Sequence, residues 1–285
     1  MLKNDNSLGY LYVATGEKYV GLALNSAISL KKQRTSYPIC LITDDSSDYE
    51  GLDNHFDRII LLERDFTENE YKLNKLFKLK GIISSPYEHT FYIDSDTLFL
   101  ENCDELFDLL AFANLIMVKD PVDESHPIID GTYYPATPYN TGMMVYNNSK
   151  DVKHLLDLWY DIRKSDLIGD QEYWGDQPAF MEAALRAMKT SEPKILVTSL
   201  IYNFPFLLFN GIPKGNVKLI HGVHNDIQLI GKLINRQNNH RGWNPVRLKN
   251  YSWSDAQDTV VTRLLKVIYR LIVPNRVKEM YRKIK

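Results

Sequence analysis

An Asp-x-Asp pair, Asp94 and Asp96, follows directly on an apolar run in FYIDSDTLFL. Two carboxylates this close repel one another unless a cation lies between them, and a divalent metal is the simplest such cation. The flanking residues set the context. Phe91, Tyr92 and Ile93 before the pair, and Leu98, Phe99 and Leu100 after it, describe core strands and not a solvated acidic stretch. The competing reading makes Asp94 a turn or helix cap and leaves Asp96 exposed. A second signal lies far along the chain, where VKLIHGVHN ends an apolar run at His221, with Gly222 permitting a bend and His224 three residues on. Taken alone, a strand-end His is more often a satisfied polar residue than a ligand. Joined to the two acids, it makes an oxygen and nitrogen donor set that suits Mn²⁺ or Mg²⁺ better than structural Zn²⁺ and leaves positions for diphosphate oxygens and water.

Side chains far apart in sequence need a scaffold that brings them together. The first half of the chain alternates apolar β-type runs, at 8–15, 38–43, 58–62 and 90–94, with helix-period segments at 21–33 and 71–83. This is the pattern of β-α-β units around a mostly parallel sheet. In such sheets ligands bind beyond the carboxyl ends of the strands, which is where Asp94 falls. Further strands are expected within 109–119, 141–147 and 217–221, and helices at 151–164 and 176–189. Between residues 121 and 139 lies a Pro- and Gly-containing stretch, long for a loop, which reads as a binding segment.

Composition narrows the class. The chain has 285 residues, 44% of them hydrophobic, a formal charge of −2 and two cysteines. That fits a globular protein, and excludes a disordered chain, a strongly basic nucleic-acid binder and a disulfide scaffold. Cys40 and Cys103 match no metal-ligand spacing, which points to a reducing, cytoplasmic compartment. The start carries Lys3, Asp5 and only a short apolar run, unlike an export signal, and no stretch has the length and apolarity of a spanning helix. Residues 260–285 differ from the rest: eight basic residues stand against Glu279 alone, a net of +7, which leaves −9 for residues 1–259. Apolar residues at helix spacing make this a basic amphipathic tail suited to an anionic membrane surface, the plainer reading being a helix docked on the body. The expected division is therefore a domain at 1–259 and a helical tail at 260–285.

Several blocks, in order, resemble the GT-A-fold glycosyltransferases, family 8 above all. These are VATGEKYVGLALNSAISL for the nucleotide-binding strand, turn and helix, FYIDSDTLFL for the metal motif, YNTGMMVYN, GDQPAF, and LIHG for a late metal histidine. The resemblance implies an α/β GT-A (Rossmann-like) fold with a mostly parallel central sheet and flanking helices. It also implies transfer of a sugar from a nucleotide-diphosphate donor, with UDP expected, to a hydroxyl of a glycan or lipid-linked acceptor, with retention of configuration. Asp94, Asp96 and His221 would hold the metal. Thr15 and Tyr19 would meet the base, and Lys78, Asp94, Ser95 and Asn140 would complete the nucleotide-sugar contacts. Asp176, Gln177 and Asp120 would lie at the reacting sugar. Each has a plainer alternative: helix-start packing for Tyr19, a solvated lysine face shared with Lys72, Lys75 and Lys80 for Lys78, a turn for Asn140, and a helix cap for Asp176. The sequence departs from the family where HGVHNDIQLI replaces a Lys and Trp after the histidine, which makes His224 a substitute candidate, and at Gly16, where relatives carry Asn. Two rivals stand beside this reading. DSDTL also resembles the loop of haloacid-dehalogenase-type phosphotransferases, with Asp94 as nucleophile and Asp96 as acid, and a non-catalytic nucleotide-sugar-binding protein would keep the same fold.

Overall fold

The computed structural model describes residues 7–44, 51–63, 70–121, 128–129, 132–166, 176–206, 215–222, 224–235, 241–244 and 249–252. Its first half runs β1 (Leu8–Ala14), α1 (Gly16–Lys32), β2 (Ile39–Thr43), α2 (Leu52–His55), β3 (Arg58–Leu61), α3 (Glu70–Ile83), β4 (His89–Ile93) and β5 (Thr97–Phe99). Then follow β6 (Leu115–Lys119), β7 (Ile128–Ile129), β8 (Thr132–Tyr133), β9 (Tyr139–Asn147), α4 (Lys150–Asp166) and α5 (Gln177–Thr190). The last described elements are β10 (Ile195–Thr198), β11 (Phe204–Pro205), β12 (Leu219–His221), α6 (Ile227–Ile234), β13 (Arg241–Asn244) and β14 (Lys249–Ser252).

Seven strands form the central sheet in the order β10-β6-β9-β4-β1-β2-β3. All run parallel except β9, which pairs antiparallel with both β4 and β6. From β1 the chain winds to β2 and β3 on one side, then crosses back to β4 on the other. The carboxyl ends of β1 and β4 therefore face a crevice, the place where open α/β sheets bind ligands.

Burial explains why the strands read as continuous apolar runs. Along β1, Tyr10 and Tyr12 point to the side packed by Val20, Ala23, Ala27 and Leu30 of α1. Leu11 and Val13 point to the other side, among Phe77, Leu79 and Ile82 of α3 and Trp159 of α4. Both faces are covered, so the period-two alternation of a half-exposed strand is absent. The apolar residues of α1 recur at three- and four-residue spacing because only one stripe of that helix meets the sheet. Both cysteines are free and buried. Burial pushes the Cys40 thiol up to about 12, so it offers no thiolate near neutral pH.

Three expectations need correction. The span 109–119 is not one strand: residues 104–111 form a 3₁₀ helix that buries Leu106 and Phe107, and the strand is Leu115–Lys119 alone. The strand expected at 217–221 is Leu219–His221, and it lies outside the central sheet, between β11 and β5 in a three-stranded sheet. Helix α1 starts at Gly16, five residues earlier than its apolar period suggested. The strand residues after Asp96 are β5, and the short elements β10, β11 and α6 were not anticipated. The tail at 260–285 lies outside the described residues, as does most of 122–131. Among the described residues, no helix is long and apolar enough to cross a membrane.

Candidate metal and nucleotide-sugar site

Asp94 and Asp96 leave the carboxyl end of β4 in the turn to β5, and β5 pairs antiparallel with β12, His221 opposite Thr97. This pairing carries the histidine to the acids across more than a hundred residues of sequence. His221 Nε2 lies 3.4 Å from Asp96 Oδ1 and 3.7 Å from Asp94 Oδ2. The backbone N–H of Gly222 donates to the Asp96 carbonyl at 2.8 Å, fixing the register. Among the described residues, these three form the one group whose ligand atoms lie within 4.8 Å of one another.

A bulge in β9 completes the wall. Met117 pairs with Met144 but Val118 pairs with Asn140, so the residues between Asn140 and Met144 leave the ladder with β6, while Met143 still pairs with Ile93 of β4. The Gly142 carbonyl there accepts from the Asp94 backbone N–H at 2.8 Å. A β-carbon on Gly142 would stand 2.2 Å from His221 Cε1. Only glycine lets the imidazole lie this close to the strand.

The other oxygen of Asp94 faces a cation. Lys78 Nζ lies 2.7 Å from Asp94 Oδ1 and 3.3 Å from Asp176 Oδ2, and the Tyr92 hydroxyl donates to the same Asp94 oxygen. Burial alone would lower the Lys78 pKa, but Asp94 and Asp176 outweigh it and raise it. Tyr92 is pushed well above the ordinary phenol range by burial and then by Asp94. Burial works against the charged forms of Asp96 and His221 as well. Their mutual hydrogen bond and attraction nevertheless hold Asp96 below its usual range and His221 above its own, with Asp94 adding to the latter.

Thr15, Tyr19, Lys78, Asp94, Ser95 and Asp96 line one cleft of about 190 Å³ together with Asn74, Lys75 and Phe77. Thr15 is buried where β1 ends, and Tyr19, in the first turn of α1, is 41% exposed. Lys78 does not belong to a solvated face; it is an ion-paired residue bridging β4 and the start of α5. Asp176 does not cap α5: its side chain makes no capping hydrogen bond, and it takes Lys78 together with Lys75 at 3.8 Å. Beside it, Gln177 Oε1 is buried with no hydrogen-bond partner among the described residues. Asn140 and Asp120 are both buried and meet each other, Asn140 Nδ2 donating to Asp120 Oδ2 at 3.0 Å. Asn140 Oδ1 accepts from the Gly142 N–H and from Asn203 Nδ2. Asn140 thus braces the bulge and orients Asp120. His224 accepts the Asp226 N–H on Nδ1 at 2.9 Å, which shapes the entry to α6.

Sequence reasoning overlooked Tyr92, Gly142, Asn203, Lys75 and Asn74. Tyr92 was within reach, because residues two apart on a strand share a face. Asn203 carried no local signal.

A divalent cation fits this donor set. Two carboxylates and an imidazole converge, Asp94 presents Oδ2 to the group while Oδ1 is taken by Lys78, and the glycine at 142 keeps the space clear. Hard or borderline ions such as Mg²⁺ and Mn²⁺ favour such ligands and retain positions for other oxygens.

Comparison with known proteins agrees with this architecture. No curated protein matches the chain. Mouse xyloside xylosyltransferase 1 is 14% identical and superposes with a TM-score of 0.51, over 77% of this chain and 98% of that one. An active-site mutant of LgtC is 16% identical, with a TM-score of 0.54 over 76% of this chain and 90% of that one. The galactosyltransferase LgtC in complex with donor and acceptor sugar analogs is likewise 16% identical, with a TM-score of 0.52 over 76% and 87%. These likenesses show the fold, which is GT-A, and agree with the family 8 resemblance of the sequence blocks. The dehalogenase-type rival places its aspartate after a first strand, whereas Asp94 follows the fourth. The family model of Mannosyl_trans3, a mannosyltransferase family, matches residues 7–204; the chain belongs to that family and is a glycosyltransferase of the GT-A fold.

Proposed function

We propose that this glycosyltransferase moves a hexose, mannose first among the candidates, from a nucleoside-diphosphate donor to a hydroxyl of a glycan or lipid-linked acceptor, with retention at the anomeric carbon. The convergence of Asp94, Asp96 and His221 at the carboxyl end of the sheet carries this reading. Mannose follows the description of the family. Similar folds are named for xylose and galactose transfer, so the fold alone does not choose the sugar. The expected UDP is set against GDP by the test below.

Asp94, Asp96 and His221 would hold a Mn²⁺ or Mg²⁺ ion, which when bound supplies positive charge to a leaving diphosphate. The chain's own residues do the rest. Thr15, Tyr19 and Ser95 receive the nucleotide in the cleft. Lys78 and Lys75 fix Asp176 at the mouth of α5, and Gln177, with its unpartnered Oε1, takes a hydroxyl of the sugar. Asn140 orients Asp120 toward the same side. An amide is a poor nucleophile, so Gln177 acts by positioning. The bond from the anomeric carbon to the diphosphate oxygen breaks, the bond to the acceptor oxygen forms, and the acceptor's proton passes to the departing phosphate.

Residues 121–139 leave from Asp120 and return at Asn140, which supports them as the acceptor-side segment. The basic tail at 260–285, taken as a unit separate from 1–259, would hold the enzyme on an anionic membrane beside such an acceptor, on the cytoplasmic face. The test is release of nucleoside diphosphate from GDP-mannose, UDP-glucose, UDP-galactose and UDP-xylose with Mn²⁺. One donor should be turned over and Asp96→Asn should abolish it; turnover of none, or an unaffected variant, would overturn the reading.

A further inference from the structure

The cleft has a second wall that the acids do not explain. Helix α3 joins the parallel strands β3 and β4, so its amino end lies at the carboxyl edge of the sheet, level with the site. Asn74 sits one turn before Lys78 on that helix, and both line the cleft. Residues four apart stack on one helix face about 5–6 Å from one another. Lys78 meets Asp94, and Asn74 lies one turn away from it along the helix.

Three observations bear on this cleft. The Asn74 side chain is half-buried, yet its amide has no hydrogen-bond partner among the described residues. The same cleft is lined by Tyr19, which is 41% exposed. Gly16, at the start of the helix that carries Tyr19, holds φ +68 and has nothing within 4 Å of where a β-carbon would stand. A flat ring, an unspent amide and open space make a slot for a planar heterocycle. An amide presents one acceptor and donors side by side, which matches the C=O and N–H that adjoin in uracil and guanine.

We infer that Asn74 reads the nucleobase of the donor, accepting its ring N–H and donating to the adjacent carbonyl while Tyr19 covers its face. This rests on the nucleoside-diphosphate reading above. It gives α3 a specificity role separate from the grip on the diphosphate.

The test is calorimetric titration of UDP, GDP and inorganic pyrophosphate, each with Mg²⁺, into the wild type, Asn74→Ala and Asn74→Asp. Alanine is a good helix former and Asn74 is not a core residue, so both variants should fold. Loss of both hydrogen bonds, each with a net worth of about 1 kcal/mol, predicts roughly thirtyfold weaker nucleotide binding in Asn74→Ala, with pyrophosphate affinity unchanged. A carboxylate can accept both N–H groups on the guanine edge but faces a carbonyl on uracil. Asn74→Asp should therefore shift the UDP-to-GDP ratio toward GDP by more than fivefold. Unchanged nucleotide affinity in Asn74→Ala, or a parallel fall for pyrophosphate, would overturn the assignment. If the wild type binds pyrophosphate but neither nucleotide, the base-reading role fails, and if it binds none of the three, the donor reading fails with it.

Discussion

The imidazole of His221 lies directly against the α-carbon of Gly142, with Cε1 2.2 Å from where a β-carbon would be. One strand bulge therefore decides whether the histidine can face the two acids. Gly142→Ala forces the ring or the bulge to move. Support of this kind around a metal is typically worth 10–100-fold in affinity. We expect Gly142→Ala to weaken Mn²⁺ binding by at least about tenfold on that basis while the far-ultraviolet circular dichroism stays as in the wild type. Unchanged affinity would mean that the close approach has no bearing on the site.

Lys78 holds Asp94 and Asp176 together. Lys78, Asp94 and Asp176 are half-buried, so removing the lysine leaves two acids unmatched at a cost below the roughly 3–5 kcal/mol of a fully buried pair. Lys78→Met should therefore lower the melting temperature clearly in the metal-free protein. Mn²⁺ brings positive charge to the same acids, so adding it should recover part of the loss. A melting temperature equal to the wild type's would contradict the pairing.

Protonation of the site has a definite sign. The metal-free His221 has a folded pKa above 6.5, so its contribution is complete below that value and disappears as pH rises through the folded pKa. Asp96 lies below 3.8, so its contribution is present above that value and is lost as pH falls through the folded pKa. The pair is strongest between these limits. A histidine NMR titration should place His221 above 6.5, and Asp96→Asn should bring it down. Titration below 6.5 in the wild type would show burial prevailing over the acids.

Asn203 donates 2.8 Å to Asn140 Oδ1 and is 1% exposed. Asn203→Ala removes that bond from a buried network at a cost of about 1–3 kcal/mol. Chemical denaturation should show a lower midpoint with an unchanged slope. No shift in the midpoint would mean that the bulge stands without this brace.

The sequence exposed some of this site and hid the rest, for physical reasons. Asp94 and Asp96 were legible because acids bounded by apolar strand residues are rarely left unpaired. His221 was legible as a strand end, but its strand partner was not, because β12 reaches the acids through long-range pairing with β5. Lys78 was visible only as a cation; its carboxylate partners lie just after β4 and just before α5, which periodicity cannot join. The bulge at Asn140–Gly142 leaves no mark in an otherwise regular apolar strand. Residues 109–112 mimicked a strand because the last turn of the 3₁₀ helix at 104–111 and Phe112 after it form an unbroken apolar run, Leu109, Leu110, Ala111 and Phe112.

The central claim is that three distant side chains bind one divalent cation needed for the nucleotide donor. Calorimetric titration of Mn²⁺ into the protein with a nucleoside diphosphate, repeated for Asp96→Asn and His221→Ala, measures this directly. We predict binding at one ion per chain in the wild type and loss of at least tenfold in either variant. Equal Mn²⁺ affinity in all three proteins would contradict the account.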